Sequence, residues 1–390
     1  DLMAHRSGLY AYAGDYQAYL GYSRPHLIHS LRYFQPQTTF RSAFAYQNGF
    51  FLVAAALIEA FSGQSFEEAV REGILKPLGM NDTTISEAGY LAAQNRAAMY
   101  APTADRASIN RIPDGWQFNP WCYIYAPAGG INSNAKDMAQ WVRFNLGDGS
   151  FEGQRLLDPN TLDWLHTPHT LIPQGFYNRK GWDAYCLGWF YTPGEPFPSI
   201  QHGGNTLGHH ALVSLVPQAG VGAVVLTNTG INLAAEAVAW RFIDLYLDRP
   251  LRDVFNRQAA QIQDFPVTRR LPEPALTPAP PPGSEGLAGP ALQCWDDFCG
   301  TYYNPIYGQV SVVWNGSGLK LTIGPEQVEM ALEYQNLADF RLVWPDEIYI
   351  DGQVGQSLVH FENIVDGKPF KMTIDLMNYD TGGEFLRVDN

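Results

Sequence analysis

Positive charge is scarce in this 390-residue chain, where 25 lysines and arginines face 39 aspartates and glutamates and leave a formal charge of −14. Phosphate contacts need clustered cations, so the balance argues against nucleic acid or an anionic membrane as a partner and reads as ordinary solubility. Long apolar runs are also missing. The longest, Phe50 to Ile58, falls well short of the ~20 residues of a membrane span and fits a buried helix. The four cysteines, Cys122, Cys186, Cys294 and Cys299, show neither metal-ligand spacing nor a Cys-x-x-Cys pair. Cys294 and Cys299 could bridge in an oxidising compartment or stand as two buried thiols. There is no signal peptide. The chain opens with Asp1-Leu2-Met3 inside what reads as mid-domain sequence, so the expectation is that the true N-terminus and any export signal lie upstream.

What is present is a core. The chain is 46% hydrophobic, 13% aromatic and only 16% charged, the opposite of the balance that keeps a chain disordered. Between Leu271 and Pro290 seven of twenty residues are proline, which reads as an extended linker. It predicts three parts: a larger unit over 1–258, a linker over 259–290 and a small domain over 291–390.

The first unit mixes helices and strands. Gly49 to Phe61 is almost wholly apolar and reads as a helix buried on most sides. Ser65-Phe66-Glu67-Glu68 is a capping box for a helix to about Leu75, stopped by Pro77 and Gly79. Ser133 is expected to cap a helix through Met138, Trp141, Val142 and Leu146. Ala211 to Val216 and Val221 to Thr227 predict a hairpin, and an amphipathic helix follows from about Leu233 to Leu247 with Val238, Phe242 and Leu245. After the linker, β-type runs at Val310–Trp314, Leu319–Ile323, Phe340–Val343, Ile348–Ile350, Ser357–Glu362 and Lys371–Leu376, separated by Asn-Gly and Asp-Gly turns, predict an all-β sandwich or small barrel without a helix.

Two short stretches carry the chemistry. Tyr46 lies three residues before the apolar helix, with Asn48 between them. A tyrosine oxygen acts as a base near neutral pH only where its pKa, normally about 10, is lowered by nearby donors or positive charge. His202-Gly203-Gly204 precedes the hairpin, as expected for the outer strand of the same sheet. Paired glycines leave room for a substrate backbone, and the Asn205 N–H after them could face a developing oxyanion. His209 and His210 lack a third ligand at a suitable spacing, which makes a metal site improbable.

Over roughly Asp1 to Leu247 the chain resembles the serine hydrolases related to class C β-lactamases and D-alanyl-D-alanine carboxypeptidases. The resemblance rests on the order and spacing of several stretches. These are Leu2-Met3-Ala4-His5-Arg6-Ser7-Gly8-Leu9, Tyr46-Gln47-Asn48, Lys76-Pro77-Leu78-Gly79-Met80, Ala128-Gly129-Gly130, Ser133 to Trp141, Leu187-Gly188-Trp189, His202-Gly203-Gly204 and Leu226-Thr227-Asn228. Gly300 to Gly308 resembles the start of the small barrel often appended to such proteins.

The resemblance implies an α+β domain of the β-lactamase/transpeptidase kind, an antiparallel sheet with helices, incomplete at its N-terminus and followed by a β-barrel. It implies a small-molecule or peptide substrate, no cofactor and a periplasmic or secreted location. It casts Tyr46 as general base and later acid, and Asn48 as a binder of the substrate amide. His202 stands in for the lysine of the more usual Lys-Thr-Gly strand, Gly203 and Gly204 receive substrate, and the Asn205 N–H forms half of an oxyanion hole. A histidine is mostly neutral at pH 7, which puts strong β-lactamase activity in doubt.

The nucleophile is the exception, because the family's Ser-x-x-Lys box lies further before Tyr-x-Asn than the 45 residues available. Ser133-Asn134-Ala135-Lys136 is the one such sequence in a helical setting, and it comes after Tyr46, so it reads as a cap and a decoy. This polypeptide alone is therefore expected to be inactive and its parent an active hydrolase, with a non-catalytic binding protein on the same fold as the alternative. A sheet lacking its first strands should also show an unpaired edge prone to association. Oligomeric state is not legible from sequence.

Overall fold

The computed structural model describes residues 1–102, 108–116, 120–172, 182–230, 232–251, 295–336, 338–344, 357–378 and 382–388. The proline-rich linker, Cys294 and the strand expected at Ile348–Ile350 lie outside the described residues. Contacts divide the chain into two units, one built from residues 1–12, 36–102 and 109–251 and the other from 13–35 and 295–388.

The core of the first unit is a six-stranded antiparallel sheet in which each strand neighbours the next in sequence. In chain order the strands are Thr170–Ile172, Asp183–Tyr185, Phe190–Thr192, Ser199–Thr206, His209–Val216 and Val221–Thr227. The expected hairpin is present, turning through Pro217–Ala219 and Gly220, whose φ of 62° suits glycine. Side chains alternate between the faces with the two-residue period of a strand. Ile200, Val213 and Leu215 pack against Val142 and Trp141 of the helix Ala135–Leu146. Leu212 packs on the other face, with Ala235, Ala239 and Trp240 of the helix Ala234–Tyr246.

Three readings of the helices need correction. The cap of Ala135–Leu146 is Asn134, whose side chain accepts from the Lys136 and Asp137 N–H groups. Ser133 instead shares a hydrogen bond with the Thr83 hydroxyl at 2.8 Å, and Thr83 donates to Asp137. Gly49–Ser62 is buried through Phe50, Leu52 and Ala55 but exposes Leu57, Ile58 and Phe61, so it is covered on one side only. Ala234–Tyr246 buries Ala235, Ala239, Trp240 and Ile243 and turns Val238, Phe242 and Leu245 outward, the reverse of an apolar-side-in assignment. The capping box holds: Ser65 Oγ accepts the Glu68 N–H and the Glu68 carboxylate accepts the Ser65 N–H.

The second unit is a closed eight-stranded antiparallel barrel. Its strands are Gly300–Asn304, Gly308–Trp314, Leu319–Ile323, Val328–Asn336, Asp339–Val343, Ser357–Val365, Lys368–Ile374 and Glu384–Arg387. Closure removes free sheet edges. The expected run to Leu376 ends as a strand at Ile374, and Asp375–Asn378 forms a helical turn whose Leu376 N–H reaches Ser357 Oγ. The barrel also carries the segment 13–35, which the sequence reading placed with the first unit. Gln17 and His26 both donate to the Ile306 carbonyl at 2.8 Å, and Tyr22 donates to that of Tyr307. Those carbonyls are held by Asn304, whose Oδ1 accepts the N–H groups of Ile306 and Tyr307 while its amide donates to the carbonyls of Gly382 and Glu384. One buried side chain thus ties the first strand, its turn and the approach to the last strand. Asn304→Ala leaves these groups without their partner and is expected to lower the stability of this unit by about 1–3 kcal/mol in urea unfolding, with an unchanged midpoint contradicting the role.

Candidate active site

Residues 5–12 and 45–47 are held together by backbone groups. The Ala45 N–H donates to the His5 carbonyl at 2.9 Å, and the Tyr12 N–H donates to the Tyr46 carbonyl at 2.7 Å. The Gln47 N–H donates to His5 Nδ1 at 2.9 Å, and the Gln47 amide donates to the Tyr10 carbonyl. This clamp fixes Tyr46 just before the helix Gly49–Ser62. Asn48 occupies the N-cap position, half-buried, and its side chain makes no capping bond.

The ring of Tyr46 faces the sheet. Its centroid lies 4.2 Å from His5 and 6.2 Å from His202, and His5 in turn lies 4.4 Å from Tyr185. The structure therefore brings Tyr46 and His202 into one aromatic cluster, completed by Phe44, Phe190 and Tyr185. Sequence reasoning did not single out His5 or Tyr185. Tyr185 sits in a wholly buried three-residue strand, where nothing local separates it from a core tyrosine. His5 lies in a stretch noted only for its resemblance.

The protonation of both histidines follows from their partners. His202 Nδ1–H donates to the Gly203 carbonyl at 2.6 Å, which leaves Nε2 to accept the Tyr185 hydroxyl at 3.0 Å. This is a neutral imidazole, and burial keeps its pKa below the usual value despite the opposing pull of that carbonyl. His5 Nδ1 is the acceptor for Gln47, so its proton sits on Nε2, a buried atom with no hydrogen-bond partner among the described residues. Burial, and then the neighbouring His202, push the His5 pKa down to about 3.

The strand Ser199–Thr206 carries His202 into this cluster. Phe190–Thr192 covers only Ser199, Ile200 and Gln201, whereas His209–Val216 pairs with the strand as far as Thr206. Among the described residues, His202 to Thr206 therefore has a strand neighbour on one side alone. The strand is interior to the sheet at its start and, among the described residues, has an open side at its end, so the expectation of an outer strand holds for only part of it. Alternation places Gly204 on the His202 face, where an added Cβ would meet nothing within 4 Å. The glycine there keeps a surface open and is not required for internal packing. Gly203 and Asn205 face the helix Ala234–Tyr246. Asn205 Oδ1 meets His210 Nδ1 at 2.6 Å, and His210 Nε2 reaches the buried Glu236 carboxylate at 2.9 Å. His210 is thus engaged as a structural pair, and among the described residues no group of three or more His, Cys, Asp or Glu side chains is placed to hold a metal.

The remaining candidates belong elsewhere. Ser133 and the exposed Lys136 belong to the start of the helix Ala135–Leu146, with the Ser133 hydroxyl engaged by Thr83. In the aromatic segment Trp116 to Tyr125, the side chains of Trp116, Cys122 and Tyr125 are packed in the interior, while residues 117–119 lie outside the described residues.

An antiparallel sheet between helices, with a Tyr-x-Asn helix start facing a His-Gly-Gly strand, defines a penicillin-binding or β-lactamase-like protein with an appended barrel. The sequence profile of the Beta-lactamase family matches residues 1–248. This chain belongs to the β-lactamase family.

The unguisins hydrolase ungD' of Aspergillus campestris (strain IBT 28561) is 25% identical over 346 residues, covering 81% of this chain and 58% of that protein. The D-alanyl-D-alanine-carboxypeptidase/endopeptidase AmpH of Escherichia coli (strain K12) is 30% identical over 186 residues, 47% of this chain and 44% of that protein. The octameric penicillin-binding protein homologue from Pyrococcus abyssi shares the fold, with a TM-score of 0.55 at 15% identity over 99% of this chain and 77% of that one. The chain spans 58% and 59% of the length of the two Aspergillus hydrolases it matches.

The His5 environment sets a pH dependence. Its folded-state pKa of about 3 lies below the usual 6.5, so the unfolded chain takes up the proton first as pH falls. The stability that neutral His5 carries is complete above about pH 6.5 and is lost toward pH 3, at up to about 1.4 kcal/mol per pH unit. His5→Gln, which keeps an acceptor for the Gln47 N–H, is expected to flatten the unfolding free energy against pH across that window. An unchanged slope would place the titration elsewhere.

Proposed function

We propose that the parent of this chain is a serine acyl-transfer hydrolase acting on peptide, amide or ester bonds, with D-amino-acid peptides as the favoured substrate class. The observation that carries the reading is the convergence of Tyr46 and His202, 6.2 Å apart between ring centroids, beside the half-open strand His202–Asn205. Family membership and the names of the relatives, hydrolases and a carboxypeptidase/endopeptidase, support it.

In this reading a substrate backbone lies along the open side of residues 202–205, with Gly204 leaving the space it needs. The Asn205 N–H stabilises the oxyanion, and Asn48 binds the amide side of the substrate. Tyr46 takes the proton of the attacking hydroxyl and later returns it to the leaving group. His202, neutral and pinned by Tyr185, shapes and polarises the wall of the cleft without offering a permanent cation. That favours substrates whose carboxylate is absent or bound elsewhere. The serine and lysine of the nucleophilic box come from outside this sequence, since no lysine precedes Lys76. The chain alone is then inactive, because catalytic units fail together when members are removed. An exported location belongs to the same proposal.

The absence of a Ser-x-x-Lys sequence before Tyr46 also favours a second reading, a binding protein that keeps the cleft without the chemistry. The two part on Tyr46→Phe, made in the nucleophile-bearing parent and assayed on a D-amino-acid amide. The hydrolase reading expects kcat to fall by about 10²–10⁴ with KM changed far less. Unchanged kcat, or no turnover by the unmodified parent, would remove the proposal.

A further inference from the structure

In the hydrolase reading proposed above, the Asn205 N–H must stand at a fixed place to meet the developing oxyanion, and the local backbone does little to fix it. Gly203 and Gly204 lead directly into Asn205 and have no side chains to anchor. The two-residue turn at 207–208 closes on Thr206 opposite His209. Such a turn closes on a hydrogen-bonded pair, and these alternate along an antiparallel ladder, so Asn205 and His210 form a non-hydrogen-bonded pair. The N–H and carbonyl of Asn205 therefore point away from His209–Val216. The backbone of His210 points away likewise, its carbonyl accepting the Thr227 hydroxyl at 3.1 Å in the neighbouring strand.

What the two backbones leave undone at this position, side chains supply. Asn205 Oδ1 lies 2.6 Å from His210 Nδ1, and His210 Nε2 lies 2.9 and 3.1 Å from the two oxygens of the Glu236 carboxylate. Both ring nitrogens face oxygen acceptors, so the ring donates from each. His210 and Glu236 are 5% and 4% exposed, a depth at which breaking either bond leaves a polar group buried without its partner. Glu236 has a firm base, the first turn of the helix Ala234–Tyr246, whose Ala235, Ala239 and Trp240 pack on the sheet. Its Oε1 lies 3.6 Å from where a side chain on Gly203 would begin, which sets the carboxylate directly behind the strand.

We propose that Glu236 and His210 are positioning residues for the oxyanion donor, holding the Asn205 side chain from behind the sheet and so fixing the direction of its backbone N–H. Neither touches substrate. The inference rests on the hydrolase reading and adds to it the means by which one donor is held in place. An oxyanion exists only once the carbonyl carbon is attacked, so an N–H that wanders weakens the transition state and leaves substrate binding nearly as it was. The loss therefore falls on kcat and spares KM.

Two variants test it. Asn205→Ala, at an exposed position, removes the tie and keeps the N–H. His210→Phe combined with Glu236→Leu replaces the buried pair by apolar side chains, an exchange that folded proteins often tolerate. In the nucleophile-bearing parent, assayed on a D-amino-acid amide, each is expected to lower kcat about tenfold, part of the about 10²–10³ that loss of a whole oxyanion donor costs, with KM changed less than about twofold. In this chain, ¹⁵N relaxation at the residue 205 amide is expected to pass from rigid, an order parameter of about 0.85, to below about 0.6 in each variant. A pair that serves stability alone would leave both readouts unchanged in the folded variants, and that result overturns the proposal. So does an amide that stays rigid, whatever happens to kcat, or a rise in KM at unchanged kcat. The relaxation measurement needs no turnover. A parent without activity therefore removes the hydrolase reading, while the amide still shows whether the pair holds the strand.

Discussion

The register between Ser199–Thr206 and His209–Val216 is the constraint on which the site depends. With Gly203 opposite Leu212 and Asn205 opposite His210, His202 and Gly204 point to the Tyr46 face while Gln201, Gly203 and Asn205 point to the helix Ala234–Tyr246. A slip of one residue would exchange the two sets and bury the histidine against Glu236. Several contacts resist that slip. Gln201 is held by Trp240, the Asn205 amide meets His210, and Ile200 and Leu215 sit in the core against Val142. The buried Glu236–His210 pair therefore reads as a device that keeps this strand in register, a use of buried polar groups attested elsewhere.

From that register follows the electrostatic character of the cleft. His202 has both nitrogens committed, one donating to its neighbour's carbonyl and one accepting from Tyr185, and burial disfavours its charged form. His5, also beside Tyr46, is neutral for the same reason. Tyr46 thus lies beside two uncharged imidazoles among aromatic rings. Under the proposed function, base catalysis by Tyr46 takes a cation or donor beyond these two rings. In the proposed reading, the lysine of the nucleophilic box has that role.

Much of the architecture was legible because it rests on local rules. The hairpin Val216–Val221, the capping box at Ser65 and five of the eight barrel strands follow from periodicity and turn chemistry over a few residues, whereas Gly300–Asn304, Val328–Asn336 and Glu384–Arg387 were not read as strands. Where local signals compete, the reading moved or reversed. Asn134 won the cap from Ser133 because the Ser133 hydroxyl finds Thr83, a partner fifty residues away in sequence. The stripe of Val238, Phe242 and Leu245 has the spacing of a core face, yet the sheet takes the side with Ala235, Ala239 and Trp240, where small residues allow close approach. In the site, Tyr46 and His202 stood out by motif. Tyr185 and His5 did not, since their roles come from contacts between strands and loops distant in sequence. The grouping of 13–35 with the barrel rests on carbonyls at 306 and 307 that carry no sequence signature.

The central proposal is that this chain holds the base and the carbonyl-binding strand of an acyl-transfer site whose serine lies outside it. The most direct test is intact mass combined with labelling by a fluorophosphonate or fluorescent penicillin probe, applied to the protein from its native source. The account predicts a protein heavier than 43.4 kDa, labelled at a serine upstream of the residue numbered Asp1 here. A native mass near 43.4 kDa without label would contradict it and leave a binding protein built on a hydrolase fold.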